Sequence, residues 1–403
     1  MECIFGIDVS KATANVAVLV DDSVVKQFIV ATDRGGFQTL SDELNSFKSP
    51  LIIFEATGIY SRPLRAFLQR DGWQYTEINP LAAKKAMDSL RNNKTDALDA
   101  IGLARAMAKN HYKATFQEQP VYTELRDLER TYQQHNEDLV QNKNRLHREL
   151  QLTFPEIEQF LSKTDGSLYW HIVERFPHPQ LVLGYDVNEL AEIILAETPK
   201  NMGQKRSIRL AQHLIDLAQQ AAPAVTQSAY AVKAVTALAK DVERIDGLKA
   251  ETITEMANVA KNLSEVKLLM TIPGIGEKTA LCLIAELGDV RRFHSANAIN
   301  AYIGIDLILY ESGQYQAGMH IRKRGNAYAR KILYKAIMNI VSVAQYHPTR
   351  ISTTYKRKKQ SAQSKKKTTK KIAIAAMSQF NRLMRHLILN NEAYDSTTFT
   401  PEQ

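Results

Sequence analysis

The sequence predicts two architectures in series: an α/β layer at its amino end, and a mainly helical remainder reached through a long helical stalk. Three observations predict it. Val- and Ile-rich runs alternate with helical periodicity in the order β-β-β-α-β-α-β-α up to about residue 110. Leu125, Tyr132, Leu139 and Leu146 then recur every seven residues. Beyond residue 263, helical spacing dominates again, around one Gly-containing, β-enriched interruption. The expected segments are 1–115 for the α/β domain, 116–262 for a coiled-coil stalk with an insert at about 160–230, 263–390 for a C-terminal domain, and 391–403 for a frayed tail.

Residues 4–9 (IFGIDV), 14–20 (ANVAVLV) and 24–30 (VVKQFIV) read as three strands, with Asp21-Asp22-Ser23 as a hairpin-type connection. Residues 35–48 follow as a helix, and 51–55 (LIIFE) as an apolar strand ending on an acid. Residues 61–71 are helical, 73–78 (WQYTEI) strand-like, and 94–109 (KTDALDAIGLARAMAK) strongly helical. Three strands in succession make a meander, which separates this layer from plain βαβ alternation.

The heptad seam, with Leu128 and His135 at its d-like positions, predicts a long helix over about 122–153 that Pro155 ends. A second helix is expected over about 229–262, where Val232, Val235, Leu238, Val242, Ile245, Leu248, Ile253 and Met256 repeat every three to four residues. The pair reads as an antiparallel stalk, and its seam as a dimerisation element. The insert reads as mainly helical and carries a basic trio, Lys205, Arg206 and Arg209. IPGIGEKTA at 272–280 resembles a helix-hairpin-helix turn, in which Gly274 and Gly276 permit a tight bend and backbone N–H groups can face a phosphate. Residues 372–390 form an apolar helix.

Composition narrows the class. With 44% hydrophobic residues, 17 Gly and 12 Pro, the chain has material for cores and is neither disordered throughout nor collagen-like. Two cysteines, Cys3 and Cys282, exclude a disulfide scaffold and a four-Cys zinc site, and both sit in apolar contexts that predict buried thiols. No apolar run approaches the roughly 18–20 residues of a membrane span, and MECIFGIDVS lacks a signal-peptide pattern, so a cytoplasmic protein without a membrane partner is expected.

Charge is uneven. The net charge is +9, yet residues 301–403 alone carry 18 basic and 5 acidic groups. Arg350 to Lys371 holds ten basic residues and no acid. Such a run is either a solvated tail or an electrostatic footprint for nucleic acid, whose phosphates exchange condensed counterions for Lys and Arg. Lys356, Arg357, Lys358, Lys359, Lys365, Lys366 and Lys367 are its expected contacts. A membrane surface fits less well, because no apolar or aromatic stripe accompanies the run.

Four acids stand out. Asp8 lies in the first strand, Glu55 ends LIIFE, and Asp96 and Asp99 lie three apart on one helix face. An acid within an apolar strand is costly to bury unless it is paired or binds a metal. The four together make a carboxylate cluster suited to a hard divalent cation, Mg²⁺ or Mn²⁺. Two such ions can clamp the attacking and leaving oxygens of a phosphodiester displacement.

The strand order and these acids resemble the RNase H/RuvC-like nuclease fold. The strings GIDVSK at 6–11, FEATG at 54–58 and KTDALDA at 94–100 resemble the DEDD-type insertion-sequence transposases, relatives of the Piv DNA invertase. The likeness continues through FPE at 154–156, IPGIG at 272–276, LGDVRRFHS at 287–295, AYIGI at 301–305, ESG at 311–313 and KRGNAYAR at 323–330. Only about 160–230 lacks a counterpart. In place of the Pro that often follows the family's Gly-Leu, this chain has Asp306.

The resemblance implies a recombinase in which Ser312, of the SG motif, is the nucleophile and forms a phosphoserine-linked DNA intermediate. It implies an RNase H-like domain whose Asp8, Glu55, Asp96 and Asp99 hold Mg²⁺. It implies double-stranded donor and target DNA, a structured non-coding guide RNA, homodimers or homotetramers, and a prokaryotic, nucleoid-associated setting. Arg322, Lys323 and Arg324 follow the serine and could neutralise phosphate. Ser295 is the rival serine, but it stands where a helix N-cap is expected.

Three other readings remain at this point. A junction-resolving nuclease would use the acids with a water nucleophile and form no covalent adduct. A sugar-kinase or actin-like ATPase shares the look of GIDVSKATANVAVLVDD but would need a later Gly-rich adenosine motif. A non-catalytic scaffold would tolerate loss of every carboxylate.

Overall fold

The computed structural model describes residues 2–87, 95–198, 202–308, 311–312, 315–316, 320–361 and 366–396. Lys94, Gly313 and Lys365 lie outside them, and of Ser312, Lys366 and Lys367 only the backbone is described. The chain divides into two compact units, Met1–Gln117 and Glu118–Gln403.

In the first unit, β1 (Cys3–Val9), β2 (Thr13–Val20) and β3 (Ser23–Ala31) form the meander. Asp21 and Asp22 join β2 to β3 with φ of 47° and 64°, the left-handed pair of a type I′ turn, and Val20 faces Ser23 across it. After α1 (Arg34–Asn45) come β4 (Leu51–Glu55), α2 (Arg62–Arg70) and β5 (Tyr75–Ile78). The sheet order is β3-β2-β1-β4-β5, antiparallel through β1 and parallel from β1 to β5. This is the strand order and direction of the RNase H-like fold.

Strand alternation explains the layers. Phe5 and Ile7 face one side of the sheet, where Leu40, Leu44, Leu64 and Phe67 of α1 and α2 cover them. Ile4 faces the other side, under α3 (Pro80–Met87) and α4 (Asp96–Asn110), where Ile53, Leu103, Ala104 and Met107 share its core. The short α3 is absent from the sequence reading. Its signal is Asn79-Pro80: the Asn79 side chain accepts from the Leu81 N–H at 2.9 Å, and Pro80 opens the helix.

In the second unit, α5 (Pro120–Thr153) runs antiparallel to α10 (Tyr230–Val259). Between them lie α6 (Ser167–Arg175), α7 (Pro179–Val182), α8 (Val187–Ala196) and α9 (Gln204–Gln220). The seam residues Leu139 and Leu146 share a core with the insert and with Val235, Val242 and Ile245 of α10. Tyr122, Leu125 and Tyr132 join Met256 in a second core. That core continues through α11 (Ser264–Met270), α12 (Glu277–Leu287), α13 (Ala296–Ile303), α14 (Ala327–Ser342), α15 (Arg350–Ser361) and α16 (Lys366–Asn390).

Two expectations change here. Leu125, Tyr132, Leu139 and Leu146 of the heptad seam are buried within this chain, while Leu128 and His135 are half-buried, so most of the seam packs inside one chain. The stalk also shares a core with α11–α16 and is not a separate body. Cys3 and Cys282 are both buried, and burial pushes their thiols up to about 11 and about 12. Among the described residues, no helix is long and apolar enough to cross a membrane.

Candidate functional site

The carboxylate face is set by one glycine. A methyl group on Gly6 would lie 2.1 Å from the Ala100 carbonyl oxygen and 2.7 Å from the Ala104 nitrogen. Gly6 therefore lets α4 descend onto β1. Asp8, two residues on, faces the same side. Because Ile4 packs among Leu103, Ala104 and Met107, α4 runs antiparallel to β1 and its first turn lies towards the Asp8 end. Thr95 caps that turn, accepting from the Leu98 N–H at 3.3 Å, and leaves Asp96 and Asp99 inside it.

Glu55 belongs to the same face. Ile53 packs under α4, and Glu55 is two residues further along β4. The register pairs Ile7 with Phe54, so Asp8 and Glu55 are the next positions on adjacent parallel strands. Asp8, Glu55 and Asp99 are half-buried, and Asp96 is exposed. All four acids thus stand at one edge of one sheet face. Among the described residues, no three His, Cys, Asp or Glu side chains are drawn close enough to hold an ion. The donors are all oxygens, on two strand ends and one helix turn, which fits a hard divalent cation. Thr57, two residues past Glu55, has a buried hydroxyl without a hydrogen-bond partner.

Ser312 lies in two nested antiparallel strand pairs. β6 (Leu307–Ile308) pairs with β9 (His320–Ile321), and inside them β7 (Glu311–Ser312) pairs with β8 (Tyr315–Gln316). The nested strands close at their roots. The Arg322 N–H donates to the Asp306 carbonyl at 2.9 Å, and the Arg322 guanidinium meets the Asp306 carboxylate at 3.1 Å. Asp306, where the family often has Pro, is thus an ion-pair partner. Lys323, with φ 54°, donates its N–H to the Gly304 carbonyl. Lys323 and Arg324 are exposed.

Sequence reasoning missed the buried acids beneath these roots. Glu286 on α12 and Glu129 on α5 are both 0% exposed. Arg130 forks onto the Glu286 carboxylate at 2.7 and 2.8 Å, and its guanidinium lies 3.8 Å over the Tyr328 ring. Burial, then hydrogen bonding to Glu286, pushes the Glu129 carboxyl up to about 8. Glu129 Oε2 has no other donor, so a proton held between the two acids satisfies it. The missed signal was small: Glu129 sits one helical turn from both Leu125 and Gln133 on a face that α12 covers.

The glycine turn joins α11 to α12. Gly274 has φ 89°, and a Cβ there would meet the Ile340 backbone of α14 at 2.8 Å. Its glycine is explained by that packing. Gly276 precedes α12 with nothing within 4 Å of its Cβ direction.

The basic run is helical. Ile351, Ser352 and Tyr355 anchor α15, and Thr349 and Ser352 exchange hydrogen bonds at its start. Lys356, Arg357, Lys358 and Lys359 are exposed beyond that anchor. A flexible tail does not describe 350–361. Ser295 caps α13, accepting from the Ala298 N–H at 3.2 Å.

Two family models match this chain. A DEDD transposase model of the IS110 type covers residues 5–155, and a model described as transposase IS116/IS110/IS902 family covers 266–356, together more than half of the sequence. The chain belongs to the IS110 family of transposases. The first IS110 segment contains Asp8, Glu55, Asp96 and Asp99, and the second contains Ser312 and Glu286. A curated relative, the transposase for insertion sequence element IS1111A of Coxiella burnetii, is 35% identical over 79 residues, which is 20% of this chain and 22% of the relative. The match thus spans about a fifth of that relative's length. Among solved structures, Thermus thermophilus RuvC in complex with a Holliday junction substrate matches 28% of this chain and 99% of its own, at 12% identity and a TM-score of 0.23. That score carries no weight, and the RNase H-like assignment rests on strand order and direction.

Proposed function

We propose that this IS110-family chain is a transposase that cuts and rejoins DNA through a phosphoserine intermediate formed by Ser312. The observation that carries the metal half of this reading is the placement of Asp8, Glu55 and the Asp96/Asp99 turn at one edge of one sheet face. A divalent ion bound there, Mg²⁺ or Mn²⁺, would supply positive charge to phosphate oxygens. The protein's own part is to supply oxygen donors at fixed heights and to hold the helix turn close through Gly6.

In the serine step, Ser312 Oγ attacks phosphorus and loses its proton. The serine–phosphate bond forms as the bond to a deoxyribose oxygen breaks, and that oxygen leaves as a hydroxyl after taking up a proton. One phosphodiester replaces another, so rejoining is the same reaction run against a new strand end. Support comes from family membership, from the SG position within the second matched segment, and from the Arg322–Arg324 run beside the nested strands.

The exposed cations of α15 suit a phosphate backbone. With the resemblance, they support donor and target duplexes and an element-encoded structured RNA that guides target choice. Homodimers or homotetramers are part of the same reading. The test is to incubate the purified protein with labelled ends of its own element, its flanking RNA and Mg²⁺, then denature it. A covalent protein–DNA adduct supports the serine route. Cut DNA without an adduct would favour a nuclease using water.

A further inference from the structure

The two chain segments that lead into the serine strands are held at one buried residue, Glu286: both through its backbone carbonyl, and the exit segment also through its carboxylate. On the entry side, the Tyr302 hydroxyl donates to the Glu286 carbonyl at 3.1 Å. On the exit side, the Asn326 amide donates to both the carbonyl and the carboxylate of Glu286. The roots are also tied to each other: the Asn326 N–H donates to the Tyr302 carbonyl at 2.8 Å, and a Cβ on Gly325 would lie 2.4 Å from that same oxygen. Asn326 then caps α14, accepting from the Ala329 N–H at 3.0 Å.

We propose that Glu286 is a positioning residue for the serine strands: its carboxylate holds the exit root at Asn326, which is bonded in turn to the entry root at Tyr302, and this chain of bonds fixes where residues 311–312 stand. The inference rests on the Ser312 reading above. The carboxylate matters because two donors, the Arg130 guanidinium and the Asn326 amide, converge on it. A buried carboxylate bonded by groups from two different elements, Arg130 and Asn326, favours one arrangement, which is what a rigid mount requires.

Glu129 makes the mount sensitive to protonation. It lies against Glu286, and its proton keeps a second negative charge out of the core. The charged or titratable groups around the pair are Arg126 and Arg130 from α5, Lys278 and Cys282 from α12, and Lys331 and Lys335 from α14. Tyr302 faces it from α13. Loss of the Glu129 proton sets two like charges side by side and loosens the grip on the roots.

The test uses the full chain and three variants, Glu286→Gln, Glu129→Gln and Tyr302→Phe. Glu286→Gln should slow adduct formation at least tenfold at pH 7, with DNA affinity within twofold of wild type. Hydrogen exchange should quicken at 302–306 and 322–326 and stay unchanged in the first unit. The wild-type adduct rate should fall as pH rises through about 8, and Glu129→Gln should remove that fall, a signature that simple loss of packing does not produce. Where Glu286→Gln does not fold, Tyr302→Phe, which deletes one hydroxyl, should show faster exchange at 302–306 and a smaller loss of rate. Unchanged exchange at both roots, or an unchanged adduct rate in Glu286→Gln, would overturn the proposal, as would a Glu129→Gln profile that still falls. If wild type forms its adduct elsewhere, the Ser312 reading fails alone, and the exchange measurement still decides whether Glu286 holds the roots.

Discussion

Gly6 and Ala100 approach so closely that a methyl group on Gly6 would stand 2.1 Å from the Ala100 carbonyl oxygen. Backbone meets backbone here, so no rotamer change can relieve the contact. Gly6→Ala should push α4 away from β1 and carry the Asp96/Asp99 turn off the edge that holds Asp8 and Glu55. Denaturant unfolding of the variant should show a loss of about 1–3 kcal/mol, as for an overpacked core, and recombination should fall with it. Wild-type stability in Gly6→Ala would show that α4 does not need this approach.

The carboxylate face gives the metal prediction. Asp8→Ala or Asp99→Ala should abolish recombination while leaving the unfolding midpoint nearly unchanged, because removing one of several like charges relieves repulsion. Chelation by EDTA should reproduce the loss, and Mn²⁺ should replace Mg²⁺. Calorimetric titration of Mn²⁺ should show weaker binding in either variant. Full recombination by Asp8→Ala would remove the metal from the account.

Neutralising Lys356, Arg357, Lys358 and Lys359 should weaken nucleic-acid binding and flatten its salt dependence. Each lost phosphate contact should lower the log–log slope by about 0.9 for duplex DNA. These four side chains are exposed on a helix whose Ile351 and Tyr355 are buried, so the substitution should leave the fold intact. An unchanged slope would mean that α15 is solvated and touches no phosphate.

Glu129 links stability to pH. Its carboxyl is raised from 4.5 to about 8 in the folded protein, so the folded state holds a proton that the unfolded chain releases. The stabilising contribution is complete below about 4.5 and is lost as pH rises through about 8. Stability measured by urea unfolding should therefore decline across this window, by at most about 1.4 kcal/mol per pH unit from this group. Glu129→Gln should flatten the decline, and a wild type whose stability rises from pH 6 to pH 8 would contradict it.

Legibility in the sequence followed local chemistry. Alternating Val and Ile, the Asp21-Asp22 turn and the heptad leucines each declare themselves within a few residues, and they gave the strands of the sheet and both long helices. Asp8 and Glu55 stood out because acids inside apolar strands are rare. What failed was the partner of each surface. Leu125 and Leu146 announce a buried seam but not whether their own chain buries it. The role of Gly274 depends on Ile340, 66 residues away, and the burial of Glu129 depends on Glu286, 157 residues away. Gly6 was legible as a glycine, but its reason lies in Ala100. Long-range contacts of this kind leave no periodic trace.

The most direct test of the central claim is to map the residue that becomes linked to DNA. Wild type, Ser312→Ala and Ser295→Ala would be incubated with labelled element ends, denatured and run on a gel, and the linked peptide identified. Ser295 accepts from the Ala298 N–H, so Ser295→Ala should lose about 1 kcal/mol of stability and keep the adduct. Ser312→Ala should bind DNA nearly as well as wild type, since one hydroxyl adds little beside many phosphate contacts, and should form no adduct. The account expects a single linked peptide containing Ser312. An adduct that survives Ser312→Ala, or that maps to Ser295, would contradict it.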